Sequence, residues 1–335
     1  MMPEDSDLKA KFVGLTRGYW VTQMIFVAAE LALADHLVKG PKSIEELAKL
    51  CDADTNSLFR LLRGLSSIGI FEEIQKKTFA LTPLADFLRS DHPDSLRQFA
   101  RLQGEERYYT WGELLACIKS GRSVFPEIYG KPVFAWHHEN PERAAIFDDA
   151  MENMARIELS ALLNAFDFQQ FRHIVDLGGG NGYVLSEVME KYRHLQGTLF
   201  DLQHVADRTV PPVHLKERWS LQSGDFFCSV PEGADCYLLK NILHNWGDSH
   251  CVKLFRNIRE AMDLSAGHLI IYEQIIPEGN DPFTGKLLDI NMLLLHDGGM
   301  ERTHGEFEKL LEKGGFTLES VIPTDCSMSV IVAGV

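Results

Sequence analysis

The sequence predicts an α/β fold, a mostly parallel sheet with an antiparallel last strand, preceded by a mainly helical N-terminal domain. Three observations predict it. From residue 173 onward, short β-like runs alternate with helical stretches; the last two runs are separated by only a short turn; and the first hundred residues read as helix, helix and small hairpin. With 335 residues the chain is too long for one ordinary domain and suits two.

The β-like runs are His173 to Leu177, Gly197 to Leu202, Trp219 to Gly224, Ala234 to Leu239 and Gly267 to Gln274. Alternation with helices implies parallel strands covered on both faces. Thr317 to Pro323 and Met328 to Ala333 follow with a connection too short for a parallel crossover, so they form an antiparallel pair.

In the first half, Phe12 to Leu37 carries apolar residues in helical rhythm and stops at Gly40-Pro41. Ser43 and Glu46 make a capping box for the next helix, on which Leu47, Leu50 and Cys51 face one way. A further helix presents Leu58, Leu61, Leu62, Leu65 and Ile68, with Gly69 as its terminator. Gly69 to Ile74 and Thr78 to Leu81 then flank the polar turn Gln75-Lys76-Lys77. This is the outline of a winged helix. Its second helix offers only Arg60 and Arg63 to a phosphate backbone, so a dimerising role is expected rather than DNA reading. The apolar residues Phe12, Leu15, Trp20, Ile25, Phe26, Leu31, Leu33 and Leu37 exceed what one small domain covers, which predicts a two-fold homodimer through this half. The expected division is residues 1–104 as the dimerisation domain, 105–170 as a helical linker and lid, and 171–335 as the catalytic domain.

Composition narrows the function. Acids outnumber Lys and Arg 48 to 33, which speaks against nucleic acid as a partner. The six cysteines are scattered without a Cys-x-x-Cys pair, and no metal-ligand spacing is present, so reduced thiols and no metal are expected. No signal-peptide pattern is read at the N-terminus, and the longest apolar stretch, Met24 to Ala34, is interrupted by Glu30. A cytoplasmic protein away from the membrane is the expectation.

The strand His173 to Leu177 runs into Gly178-Gly179-Gly180-Asn181-Gly182, with a helix from Tyr183. Glycines between strand and helix let backbone approach a ligand and aim helix N–H groups at it. The dinucleotide fingerprint fails, because its third glycine would fall at Tyr183. The spacing that fits is Asp176-x-Gly178-x-Gly180-x-Gly182, which resembles the first motif of class I methyltransferases, users of S-adenosylmethionine. Asp201, followed by Leu202, ends the next strand where a carboxylate can accept both ribose hydroxyls. Gly224-Asp225-Phe226 follows the third strand, with a carboxylate for the adenine amino group and a ring to stack on it.

The fourth strand leads into Lys240-Asn241-Ile242-Leu243-His244-Asn245-Trp246, so His244 stands at the carboxyl end of the sheet, where ligands meet open α/β folds. Glu273 ends the neighbouring strand and Glu301 precedes the final helix. With the Asp-x-Gly-Gly-Gly-x-Gly loop, Leu243-His244-x-Trp246, Phe147 to Met151 and Glu301-Arg302-Thr303, nearly the whole chain resembles the small-molecule O-methyltransferases typified by caffeic acid and hydroxyindole O-methyltransferases. The resemblance implies a homodimer with interlocking N-terminal domains, and a cofactor, S-adenosylmethionine, leaving as S-adenosylhomocysteine. It implies a cofactor site at Asp176, Gly178, Gly180, Asp201, Leu202, Asp225, Phe226 and Lys240. It implies His244 as general base, held by Glu273 and Glu301, acting on a small hydroxylated acceptor. Phe147, Met151, Trp246, Asn291 and Met292 would wall the acceptor pocket, joined by Asn245, which stands where many relatives carry Asp.

Overall fold

The computed structural model describes residues 3–262 and 267–335, without the side chains of residues 3–6. Residues 1 and 2 of the expected dimerisation domain and 263–266 of the expected catalytic domain lie outside the described residues. The chain forms two compact units, Met1–Tyr109 with Ala145–Met154, and Thr110–Ala144 with Ala155–Val335. The helix Pro141–Ala165 therefore contributes to both, whereas the sequence predicts residues 105–170 as one piece.

In the first unit the expected helix from Phe12 to Leu37 is three helices, Pro3–Thr16, Gly18–Glu30 and Leu33–Leu37. The second break falls at Ala32, which adopts the left-handed conformation, φ 50°. That conformation costs an alanine about 1–2 kcal/mol. The turn it makes brings Leu33 and Leu37 into the same core as Ala28, Ile44, Leu58 and Leu62. Leu33 and Leu37 thus leave the expected dimer surface, and Leu8, Phe12, Leu15, Tyr19 and Trp20 remain exposed. The capping box is present, Ser43 accepting from the Glu46 N–H and Glu46 from the Ser43 N–H. The helix it starts is only Ile44–Leu50, so Leu47 is buried but Leu50 is exposed. Ile68 likewise falls beyond the helix Thr55–Ser66 and is exposed. The hairpin is Glu72–Gln75 (β2) and Thr78–Ala80 (β3), and Lys42–Ser43 (β1) adds a third antiparallel strand on β3. Two residues carry no periodicity, which is why β1 was invisible in the sequence.

The second unit holds the sheet. Its strands are His173–Leu177 (β4), Gln196–Asp201 (β5), Trp219–Ser223 (β6), Cys236–Lys240 (β7), His268–Gln274 (β8), Thr317–Pro323 (β9) and Met328–Gly334 (β10). Their order is β6-β5-β4-β7-β8-β10-β9, parallel from β6 to β8, with β10 antiparallel to both neighbours. Alternate residues of β4, β5, β7, β8 and β10 enter opposite cores. Ile174, Leu199, Leu238 and Ile270 pack with Leu159 and Leu162 of the helix Pro141–Ala165. Val175, Leu177, Tyr237, Leu239 and Ile271 pack with Leu254, Phe255 and Ile258 of the helix Asp248–Ala261. Connections leave β4 toward β5 on one side and return at β7 on the other, and a ligand crevice opens at such a switch point, at the carboxyl ends of the strands. Among the described residues no helix is long and apolar enough to cross a membrane.

Candidate active site

At the carboxyl end of β4 the glycine loop lies against its neighbours, without room for a side chain at Gly178, Gly179 or Gly182. A Cβ at Gly178, whose φ is +71°, would stand 2.6 Å from Ile242 Cδ1, and one at Gly179 would stand 2.3 Å from Asp176 Oδ2. The loop is tied to β5 by Asp201, whose carboxylate accepts from the N–H groups of Gly180 (2.8 Å) and Leu202 (2.7 Å). Burial raises the pKa of Asp201, although these two bonds oppose the rise. Asp176 is buried beneath the loop and its Oδ2 has no donor among the described residues. Burial first, and the nearby Asp201 charge second, push Asp176 up to about 7, with Lys240 pulling the other way. An acceptor oxygen left without a donor, a paired acid beside it and a backbone stripped of side chains form a cradle that fits a cationic, amine-bearing ligand with hydroxyls.

Asp225 is exposed and turns one oxygen to the Phe227 N–H (2.8 Å). The Phe226 ring lies against the Gly178 backbone, 3.6 Å from where a Cβ would stand. Lys240, expected at the cofactor, has its ammonium 2.7 Å from Glu158, both nearly buried. Glu158 is absent from the site expected from the sequence. The available signal was its place beside Ala155, Leu159 and Leu162, an acid within the apolar stripe of a helix.

Beyond β7 the chain makes a single 3₁₀ turn, Leu243–Asn245, that carries His244. His244 Nδ1 lies 2.7 Å from Glu301 Oε1, and both groups are buried. A carboxylate only accepts, so Nδ1 carries the proton and Nε2 of the neutral ring keeps its lone pair. Burial by itself would lower the His244 pKa. The hydrogen bond and charge of Glu301, with the charge of Glu273, outweigh it, and the imidazole titrates above the ordinary histidine value. Glu301 is in turn held by Asp289, which accepts from its N–H at 2.9 Å.

Glu273 does not bond the imidazole as expected. β8 runs beside β7 with Tyr272 paired to Lys240, which sets Glu273 next to the start of the turn. There its Oε1 accepts from the N–H groups of Ile242 (2.9 Å) and Leu243 (2.5 Å), so it braces the backbone and reaches His244 only through its charge.

Of the expected acceptor walls, Trp246 joins an aromatic cluster. Its ring meets Phe227 edge to face at 4.7 Å and stacks on Phe134 at 5.9 Å, and Phe134 stacks in turn on His296 at 5.4 Å. Asn245 donates its amide back to Asn241 O (3.1 Å), closing the turn. Asn291 accepts from the Trp111 indole (3.0 Å), and Met292 is buried with Phe125, Val133 and Leu295. Phe147 and Met151 belong to the first unit, where Phe147 packs by Leu102 and Ala150 and Met151 is exposed. Among the described residues no group of His, Cys, Asp and Glu is arranged to hold a metal ion.

Comparison with known proteins matches residues 111–317 to the O-methyltransferase domain and residues 13–91 to the O-methyltransferase dimerisation domain. A phenazine O-methyltransferase of Lysobacter antibioticus is 38% identical over 97% of this chain and 96% of its own. The structure of human N-acetylserotonin methyltransferase in complex with S-adenosylmethionine is similar at a TM-score of 0.91, with 27% identity and full coverage of both chains. Aclacinomycin 10-hydroxylase of Streptomyces purpurascens is 32% identical over 95% of this chain and 87% of its own.

Proposed function

The chain belongs to the O-methyltransferase family, enzymes that use S-adenosylmethionine, and from that membership we propose that it methylates a phenolic hydroxyl of a planar aromatic acceptor with His244 as base. The observation that carries this is the buried His244–Glu301 pair at the carboxyl end of the sheet. S-adenosylmethionine supplies an electrophilic methyl on a sulfonium sulfur. A phenol has a pKa near 10 and attacks such a methyl poorly while it keeps its proton. His244 Nε2 takes that proton as the oxygen–methyl bond forms, and the imidazolium so made is stabilised by Glu301 at Nδ1. Asp176, Gly178, Gly180, Asp201, Leu202, Asp225 and Phe226 hold the cofactor in this reading, with Lys240 setting charge beside Asp176. Trp246, Asn245, Asn291 and Met292 serve the acceptor side, and Phe147 and Met151 are assigned to it by resemblance. Alignment of acceptor and methyl by such walls accounts for much of the remaining rate.

The relative named for phenazines makes hydroxyphenazines the first acceptors to try. Incubated with methyl-labelled S-adenosylmethionine, the protein is expected to return an acceptor carrying one labelled methyl on oxygen, read by mass spectrometry. An acceptor that instead gains oxygen and no label would replace methyl transfer by hydroxylation, the reaction named for the Streptomyces purpurascens relative.

We also take the enzyme to be a two-fold homodimer, supported by the dimerisation-domain match and by the exposed Leu8, Phe12, Leu15, Tyr19 and Trp20. Light scattering at micromolar concentration should give twice the chain mass; the mass of one chain would end the idea. A cytoplasmic location and no nucleic-acid partner complete the reading, in keeping with six free thiols and the excess of acids.

A further inference from the structure

The turn bearing His244 is too short to hold itself. A 3₁₀ turn of three residues has poor internal hydrogen bonds, yet a base must stand within a few tenths of an ångström of its task. Glu273 satisfies the N–H groups at the start of the turn. The carbonyls are taken by a guanidinium that the mechanism above does not use. Arg302 is 1% exposed, among the largest fully buried side chains in the protein. Its Nη1 donates to Leu243 O (3.0 Å) and its Nη2 to Trp246 O (2.8 Å). Nη2 (2.9 Å) and Nε (3.2 Å) also donate to the carboxylate of Asp248, whose side chain is half exposed. Between these two carbonyls, His244 O accepts from the Met300 N–H (2.9 Å).

A buried cation costs several kcal/mol of desolvation unless its donors are used, and an apolar side chain would fill the same volume without that cost. What the guanidinium adds is shape: a rigid planar fork that reaches a carbonyl on each side of His244 and a carboxylate at once. Arg302 also adjoins Glu301, so consecutive residues hold the backbone of the turn and the Nδ1 edge of the ring it carries.

We propose that Arg302 is a positioning residue for methyl transfer, fixing the His244 turn from its carbonyl side so that Nδ1 stays on Glu301 and Nε2 faces the acceptor. This rests on His244 being the base. The test uses full-length protein labelled with ¹⁵N-histidine, so the tautomer of His244 is read by NMR without an acceptor, its signal assigned by loss in His244→Ala. In the wild type the signal should report a proton on Nδ1 and a bare Nε2. In Arg302→Met the two tautomers should mix and the midpoint of the titration should fall, because the ring drifts from Glu301. With a hydroxyphenazine acceptor, kcat should drop by about 10–100-fold, the scale of a 1 Å misplacement, while cofactor Kd holds. Arg302→Lys should recover only part of kcat, since a point charge cannot serve three acceptors in fixed directions.

Asp248→Asn loosens the outer, exposed anchor, together with a longer exposed ion pair to Lys313 (3.9 Å), and should fold normally, with a mixed tautomer and a loss of about 2–5-fold in kcat, roughly the worth of a partly exposed pair. If Arg302→Met does not fold, this variant decides. A single wild-type tautomer with wild-type kcat in whichever variant folds overturns the proposal. So does a loss of kcat that tracks lost cofactor affinity with the tautomer unchanged, the mark of a plain structural brace. Wild-type turnover in His244→Ala overturns the base assignment itself and is distinct from both.

Discussion

His244→Ala is expected to lower kcat by about 10²–10⁴-fold while leaving the cofactor Kd unchanged, the usual worth of a positioned general base. The loss should shrink as pH rises, because more of the phenol ionises without help and the missing base matters less. The wild-type rate should itself carry a histidine limb. Only the neutral ring accepts a proton, and Glu301 and Glu273 raise His244 above its ordinary value, so kcat/KM should climb with pH through a midpoint above about 6.5. Glu301→Gln removes the hydrogen bond to a charged carboxylate and the charge itself. The midpoint should then move to lower pH, and kcat should fall by less than in His244→Ala, since Gln can still accept from Nδ1. Stopped-time assays across pH 5.5–9 would measure all three proteins. A His244→Ala profile equal to the wild type in size and pH dependence would show that His244 is a packed strand-end residue; weakened cofactor binding with intact chemistry would move it to the cofactor wall.

Asp201→Ala is expected to weaken S-adenosylmethionine binding by about 1–3 kcal/mol, the worth of hydrogen bonds to a charged acceptor. At tenfold per 1.4 kcal/mol that is about 5- to 150-fold in Kd by calorimetry. Two effects join there. The acceptor for the ribose is lost, and the Gly180 and Leu202 N–H groups lose the carboxylate that ties the glycine loop to β5. Asp201→Asn keeps the size and removes the charge, which separates the two. The pH dependence adds an independent check. Asp176 titrates near 7 because it is buried and Asp201 is charged beside it. A cation bound in the cradle favours ionised Asp176, so affinity should rise as pH increases through about 7 and level off above it. Without the Asp201 charge Asp176 ionises earlier, and that rise should shift to lower pH. Unchanged affinity in Asp201→Ala would remove Asp201 from the site.

Periodicity made the sheet legible. Short runs of strand-forming residues bounded by turn residues mark the strands, so β4 and β9 coincide with the predicted limits and the others lie within two residues of them. Order along the chain also nominates the anchors, because a ligand crevice at strand ends requires its residues just after Leu177, Phe200, Ser223 and Leu239. The single expected N-terminal helix failed for a reason no helical wheel carries. The break at Ala32 is strained locally and is held by Leu33 and Leu37 entering a core built from later helices. Its place at a strand end predicts Glu273 beside His244, and its charge does reach the ring; its hydrogen-bond partners are the turn's N–H groups instead, because the register of β8 on β7 sets which donors its oxygens reach. Glu158 is absent from the expected site, and Arg302 enters only as part of the Glu301-Arg302-Thr303 motif, because charge in a sequence reads as surface. What the sequence by itself determined is the alternation of elements and the residues at each strand end, which local spacing encodes. Only the tertiary structure decided which buried charges meet, Glu158 with Lys240 and Arg302 with the His244 turn, because a charge tolerates burial only where distant segments supply its partners.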